Sequence, residues 1–141
     1  MTQTAAAPAG YSGTPLAKKL GIKPASRLLV MAAPDGYAGL LAPLPDGVVF
    51  VDKLSDRPDI VHLFATRKVD LRVALGALRT ALPSDAVIWV SWPKKASKVS
   101  SDIDDNVIRE LALPLEFVDV KVCAVSAVWS GLKLVVRKAA R

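Results

Sequence analysis

Two apolar runs, "IVHLFAT" (Ile60 to Thr66) and "AVIWVS" (Ala86 to Ser91), flank a segment whose leucines recur with helical spacing. Leu71, Leu75, Leu78 and Leu82 stand at i, i+4, i+7 and i+11, while Arg72 and Arg79 fall away from that line. This spacing gathers the leucines into one stripe and predicts a helix over Asp70 to Leu82, with Asp70 as its cap. The flanking runs have the length and apolar character of strands covered on both faces. A strand, a crossing helix and a strand make a parallel pair, which needs a layered α/β architecture.

The rest of the chain extends the pattern. "RLLVMAAP" (Arg27 to Pro34) is a first strand, "DGYAGLLAPL" a turn and short helix, and "VVFVD" (Val48 to Asp52) a second strand. Before them, "TPLAKKLGIKP" reads as a short helix that Thr14 can cap and Gly21 can stop. After "AVIWVS", the pair Trp92-Pro93 breaks the strand. A further helix is predicted over Asp102 to Ala112, capped by Ser101 or Asp102, with Ile103, Val107 and Leu111 on one face. "FVDVKVCAV" and "LKLVVRK" are joined by "SAVWSG", a link short enough only for an antiparallel hairpin. The expected fold is therefore a mostly parallel open α/β sheet of about six strands with one reversed strand, flanked by helices. Residues 1–12 read as a flexible arm and 13–141 as a single domain.

Strand, helix, "AVIWVSWPK", helix, then strand and hairpin strand resembles the C-terminal half of class I S-adenosylmethionine-dependent methyltransferases. That resemblance implies the strand order 2-1-3-4-6-5, the last strand antiparallel, in a truncated Rossmann-like sheet with one strand–helix unit missing after Asp52. From Tyr11 onward the chain also resembles an uncharacterised bacterial family, a domain of unknown function. The carrying stretches are "YSGTPLAKKLGIK", "WVSWPKKAS", "VDVKVCAV" and "WSGLKLVVRK". This second resemblance implies no activity.

Charge and composition narrow the functions. The net charge is +6. The excess lies in Lys18, Lys19, Lys23 and Arg27, with no acid before residue 35, and in Lys133, Arg137, Lys138 and Arg141, with no acid among them. A nucleic-acid surface shows a basic stripe interleaved with aromatics; solvated termini are the expectation here, and nucleic acid is an unlikely partner. No apolar run is long enough for a membrane span, and "MTQTAAAPAGYSG" lacks the build of a secretory signal. One cysteine, Cys123, excludes an internal disulfide, fits the cytoplasm and reads as a small core hydrophobe. One histidine and one cysteine cannot assemble a His/Cys metal cluster. His62, among apolar neighbours, reads as a packed residue rather than a catalyst, and Trp89 as core.

In an open α/β sheet, ligands bind beyond the carboxyl ends of the strands at a topological switch point. Here that point lies between strands one and three, so the candidate loops are 33–37, 52–53, 66–68 and 91–98. "AAPDGY" offers Asp35, Gly36 and Tyr37 but no Gly-x-Gly, and Pro34 removes a backbone donor. It is read as a strand-to-helix turn, and no cofactor, S-adenosylmethionine included, is expected to bind there. Asp52 ends strand two, where such folds hold ribose hydroxyls. Lys94, Lys95 and Lys98 crowd the loop after strand four as a candidate anion site, with Trp92 as one apolar wall. The leading expectation is a non-enzymatic binding or regulatory module, leaning against an enzyme, for a protein partner or a small anionic ligand, with self-association open. The alternative is a small cofactor- or nucleotide-binding enzyme of methyltransferase-like fold. A second alternative is nucleic-acid binding through the basic termini.

Overall fold

The computed structural model describes residues 14–141; the arm expected over residues 1–12 lies outside them. The described elements are α1 (Leu16–Lys19), β1 (Arg27–Met31), α2 (Tyr37–Leu41), β2 (Val49–Val51), β3 (Ile60–Phe64), α3 (Lys68–Ala81), β4 (Val87–Pro93), α4 (Asp105–Ala112), β5 (Phe117–Ala124) and β6 (Trp129–Val136). The six strands form one sheet in the order β2-β1-β3-β4-β6-β5. β2, β1, β3 and β4 run parallel, and β6 is antiparallel to both β4 and β5. This is the order expected from sequence.

The sheet is covered unequally. On one face Leu71, Leu75 and Leu78 of α3 and Ile108 and Ala112 of α4 pack onto Val61, Ile88, Val90, Leu132 and Leu134. On the other, Leu16 and Leu20 from the α1 segment and Tyr37 and Leu41 of α2 pack onto Leu28, Ile60, Phe64 and Trp89. β3 is buried at every position because it lies between two strands and beneath both layers. Among the described residues, no helix is long and apolar enough to cross a membrane.

Several local expectations are corrected. β1 stops at Met31, not Pro34, because Ala32 turns into the left-handed region at φ 59°. β4 runs through Trp92 to Pro93, where Pro93 stands opposite Trp129 at the end of the antiparallel ladder, a place that tolerates a missing N–H. α1 has no side-chain cap, and Pro15 rather than Thr14 precedes it. α3 begins at Lys68, so Asp70 lies inside its first turn; Oδ1 of Asp102 accepts the Lys68 N–H at 2.6 Å instead. α4 starts at Asp105, capped by Asp104, whose Oδ1 accepts the Val107 N–H at 2.9 Å. Ser101 accepts the Ile103 N–H one turn earlier.

Candidate functional site

β1 leads through α2 to β2 on one side, while β3 and β4 extend the sheet on the other. The strand order therefore reverses between β1 and β3, and a cleft of about 490 Å³ lies at their carboxyl ends. Its walls include Met31 and Ala32 after β1, Phe64 and Thr66 after β3, Asp70 on α3, and Trp129 at the start of β6. Met31, Phe64 and Trp129 make it largely apolar, with the Thr66 hydroxyl and the exposed Asp70 carboxylate at the rim. A similar volume lies at the opposite, amino-terminal edge, beside Lys23, Asp59, Asp85 and Lys133. Ligands of open α/β sheets sit at the carboxyl edge, which singles out the first cleft.

The loop after β1 follows from its residues. Gly36 stands at φ 80° immediately before α2, and the Tyr37 N–H donates to the Pro34 carbonyl at 3.3 Å, closing the turn. A Cβ on Gly36 would meet no heavy atom within 4 Å, so this glycine serves the turn rather than a close approach. Ala32 holds its left-handed conformation with a side chain present, which costs ~1–2 kcal/mol relative to the right-handed form.

The structure disperses the other residues singled out from sequence. Asp35 and Gly36 are exposed, and Asp52 is exposed just beyond β2. Trp92, expected as an apolar wall, is 9% exposed and packs in the core beneath α3 and α4. Lys94 is half-buried ahead of a short turn, Lys95–Ser97, and its N–H donates to the Val128 carbonyl at 2.7 Å. Lys95 and Lys98 are exposed. None of these seven residues lines the cleft. The connection that follows the lysine loop touches the rim of the cleft, where the Asp102 N–H donates to the Thr66 carbonyl at 3.3 Å.

Tyr37 is buried, and it leads to residues that sequence reasoning set aside. Its hydroxyl lies 2.7 Å from Nδ1 of His62, whose Nε2 lies 2.7 Å from Oγ of Ser91. His62 and Ser91 have no solvent exposure. Burial favours the neutral forms: the His62 pKa falls to about 3, and the Tyr37 phenol is pushed well above its usual value. The signal that could have found this group is strand parity. Alternation puts His62 on the same side as Phe64, and Ser91 on the same side as Trp89. The parallel register, with His62 opposite Trp89 and Phe64 opposite Ser91, then brings those sides together.

Cys123 is half-buried on β5, and its thiol is pushed up by burial against the opposing pull of the Lys19 and Lys121 ammonium groups. Among the described residues, no group of three or more His, Cys, Asp or Glu side chains is arranged to hold a metal ion.

No family model matches the chain, and no curated protein does. Solved structures do. The DhpI–SAH complex is 14% identical, with 85% of this chain and 81% of that one covered at a TM-score of 0.56. A ribosomal protein L11 methylase from Lactobacillus delbrueckii subsp. bulgaricus is 12% identical, with 86% and 75% covered at 0.55. The B. subtilis M1A22 tRNA methyltransferase TrmK is 10% identical, with 86% and 64% covered at 0.53, so this chain spans less than two thirds of that one. These neighbours overturn the expectation of a non-enzymatic module, and with it the leaning against an enzyme. The sheet of this chain is that of the methyltransferase Rossmann-like fold.

Proposed function

We propose that the protein is a small cofactor- or nucleotide-binding enzyme of methyltransferase-like fold, with its ligand in the cleft at the carboxyl ends of β1 and β3. The observation that carries this reading is the position of the cleft at the switch point, about 490 Å³ in volume and mostly apolar with two polar groups at its rim. The structural neighbours, one of them an SAH complex, support the same reading. The likeness of four stretches to an uncharacterised bacterial family is compatible with it and adds no activity.

An S-adenosyl cofactor fits these residues in part. The apolar wall of Phe64 and Trp129 suits a planar ring, but the Asp52 carboxylate, exposed beyond β2, does not line the cleft where ribose hydroxyls would sit. The β1 loop does not suit a tail cradled by glycine amides. Ala32 carries a methyl group where the backbone would have to approach, and Pro34 has no N–H to give. No group-transfer step follows from the side chains present.

Calorimetry and thermal shift with S-adenosylmethionine, SAH and adenine nucleotides test the reading. A ligand at about 100 times its Kd should stabilise the fold by about 2.7 kcal/mol. Asp70→Asn should weaken that ligand, whereas Lys95→Glu with Lys98→Glu should not. A panel in which nothing stabilises the protein overturns the proposal.

A further inference from the structure

The buried hydroxyls and rings form one continuous line that ends in the cleft. Tyr37 on α2 reaches His62 on β3, and His62 reaches Ser91 on β4, each over 2.7 Å. The imidazole then stacks on Phe64, with centroids 4.3 Å apart and planes 29° apart. Phe64 meets Trp129 edge to face, at 5.1 Å and 89°. Tyr37 also contacts Phe64 edge to face at 5.4 Å. Phe64 and Trp129 are both walls of the cleft.

An apolar residue would fill the His62 position without any need for partners. A buried imidazole is costly unless both nitrogens are satisfied, and here one hydroxyl serves each. The two bonds leave the ring no free polar atom and no path to solvent, so it is not placed to act on a substrate. What they do fix is its plane. Three elements contribute one group each, and that plane is the platform under Phe64.

Resting on the cofactor- or nucleotide-binding reading above, we propose that Tyr37, His62 and Ser91 are positioning residues that hold Phe64, and through it Trp129, as the wall on which a planar heteroaromatic ring of the ligand stacks. Trp129 is half-buried, so one part of its indole packs on Phe64 while another remains open. Burial keeps His62 neutral, so no cation lies behind the wall. The exposed Asp70 carboxylate at the rim accepts hydrogen bonds and cannot donate them, which favours a ring bearing an amino group. The ring could belong to the nucleoside of a cofactor or to a second substrate, and the two sources are separable.

The experiment uses the full chain labelled with 5-fluorotryptophan. Its three tryptophans give three fluorine resonances, and Trp129→Phe assigns one. Adenosine is the probe. It should shift the Trp129 resonance and leave those of Trp89 and Trp92 in place. Trp129→Leu should weaken adenosine by about tenfold, with Trp129→Phe retaining most of the affinity. Tyr37→Phe and Ser91→Ala should move or broaden the Trp129 resonance in the free protein and weaken adenosine by a smaller factor. A merely structural role would lower the unfolding midpoint and leave both unchanged, which overturns the proposal. Where Tyr37→Phe fails to fold, Ser91→Ala carries the test, with Ser91→Thr expected to restore the signal. Saturation with S-adenosylmethionine beforehand distinguishes the sources: a cofactor ring already shifts Trp129, whereas a second substrate's ring shifts it only when adenosine follows. Calorimetric binding of adenosine or S-adenosylmethionine with the Trp129 resonance unmoved overturns this inference alone. Binding of neither overturns it together with the reading beneath it.

Discussion

Asp102 closes the amino end of a helix that begins 34 positions before it: its Oδ1 accepts the N–H of Lys68 at 2.6 Å. The connection after β4 is thereby fastened to the start of α3 and, through the Asp102 N–H, to Thr66 on the rim of the cleft. A helix cap supplied from a distant segment couples two loops that local sequence treats as separate.

Removing that cap should be costly while removing the apparent one should not. Asp102→Ala is expected to lower stability by about 1 kcal/mol, the usual loss for a capping aspartate. Asp70→Ala should stay within about 0.5 kcal/mol. Urea unfolding of both variants measures the difference, and equal losses would return the cap to Asp70.

The His62 bonds predict a pH dependence of defined sign. Burial lowers the folded pKa to about 3, below the ordinary value of 6.5. The unfolded chain therefore binds a proton first as the pH falls, and stability is lost on the acid side. Between pH 6 and pH 4 the unfolding free energy should drop by up to about 1.4 kcal/mol per pH unit from this group alone. His62→Phe should be less stable at neutral pH, since it leaves Tyr37 and Ser91 without their partner, and should lose this slope. An unchanged slope in the variant would assign the acid sensitivity to the carboxylates. Asp105 is one such group, held below its usual value chiefly by its hydrogen bond to Arg109.

At the mouth of the cleft, Ala32 is strained by its own Cβ. Ala32→Gly removes that strain at the expense of greater freedom in the unfolded chain, so a gain of no more than about 1 kcal/mol is expected. Ala32→Val should destabilise by about 1–2 kcal/mol, because a β-branched residue tolerates this conformation less well. Thermal denaturation distinguishes these, and a stabilised valine variant would remove strain from the account of the loop.

Two glycines should respond in opposite directions. A Cβ on Gly131 would come within 3.0 Å of Val125 Cγ2, 3.4 Å of Trp89 Cε3 and 3.5 Å of Cys123 Sγ. Gly131→Ala should therefore cost about 1–3 kcal/mol. Gly76, inside α3, has open space around it, and Gly76→Ala should stabilise by up to about 1 kcal/mol. Chemical denaturation of the pair is the check.

The strand order was legible because each step of it is local. The leucine stripe of α3 implies a parallel crossover, and "SAVWSG" implies the hairpin; the resemblance then supplied the order. The switch point followed from that order, and so did the end of the sheet where the cleft lies. Its residues were harder to read. Tyr37, His62 and Ser91 come from three elements, with separations of 25 and 29 residues; Tyr37 stands out only through its turn, and His62 and Ser91 each alone look like ordinary filling. Trp92 and Trp129 both border turns, so sequence treats them alike. Strand parity shows that Trp92 faces away from Trp89, but not which face the longer helices would cover. Structure resolves it: α3 and α4 bury Trp92, while Trp129 remains beside the cleft.

The unequal cover of the sheet has a consequence in time. α1 and α2 are four and five residues long, too short to persist once detached, whereas α3 has fourteen. Their amides should exchange with solvent deuterium through a partial opening, ahead of β3 and β4, whose exchange waits for global unfolding. Tyr37 is the first residue of α2, so that opening also separates it from His62. A ligand that settles on Trp129 would therefore slow hydrogen exchange in α2, behind the wall it touches and out of its reach.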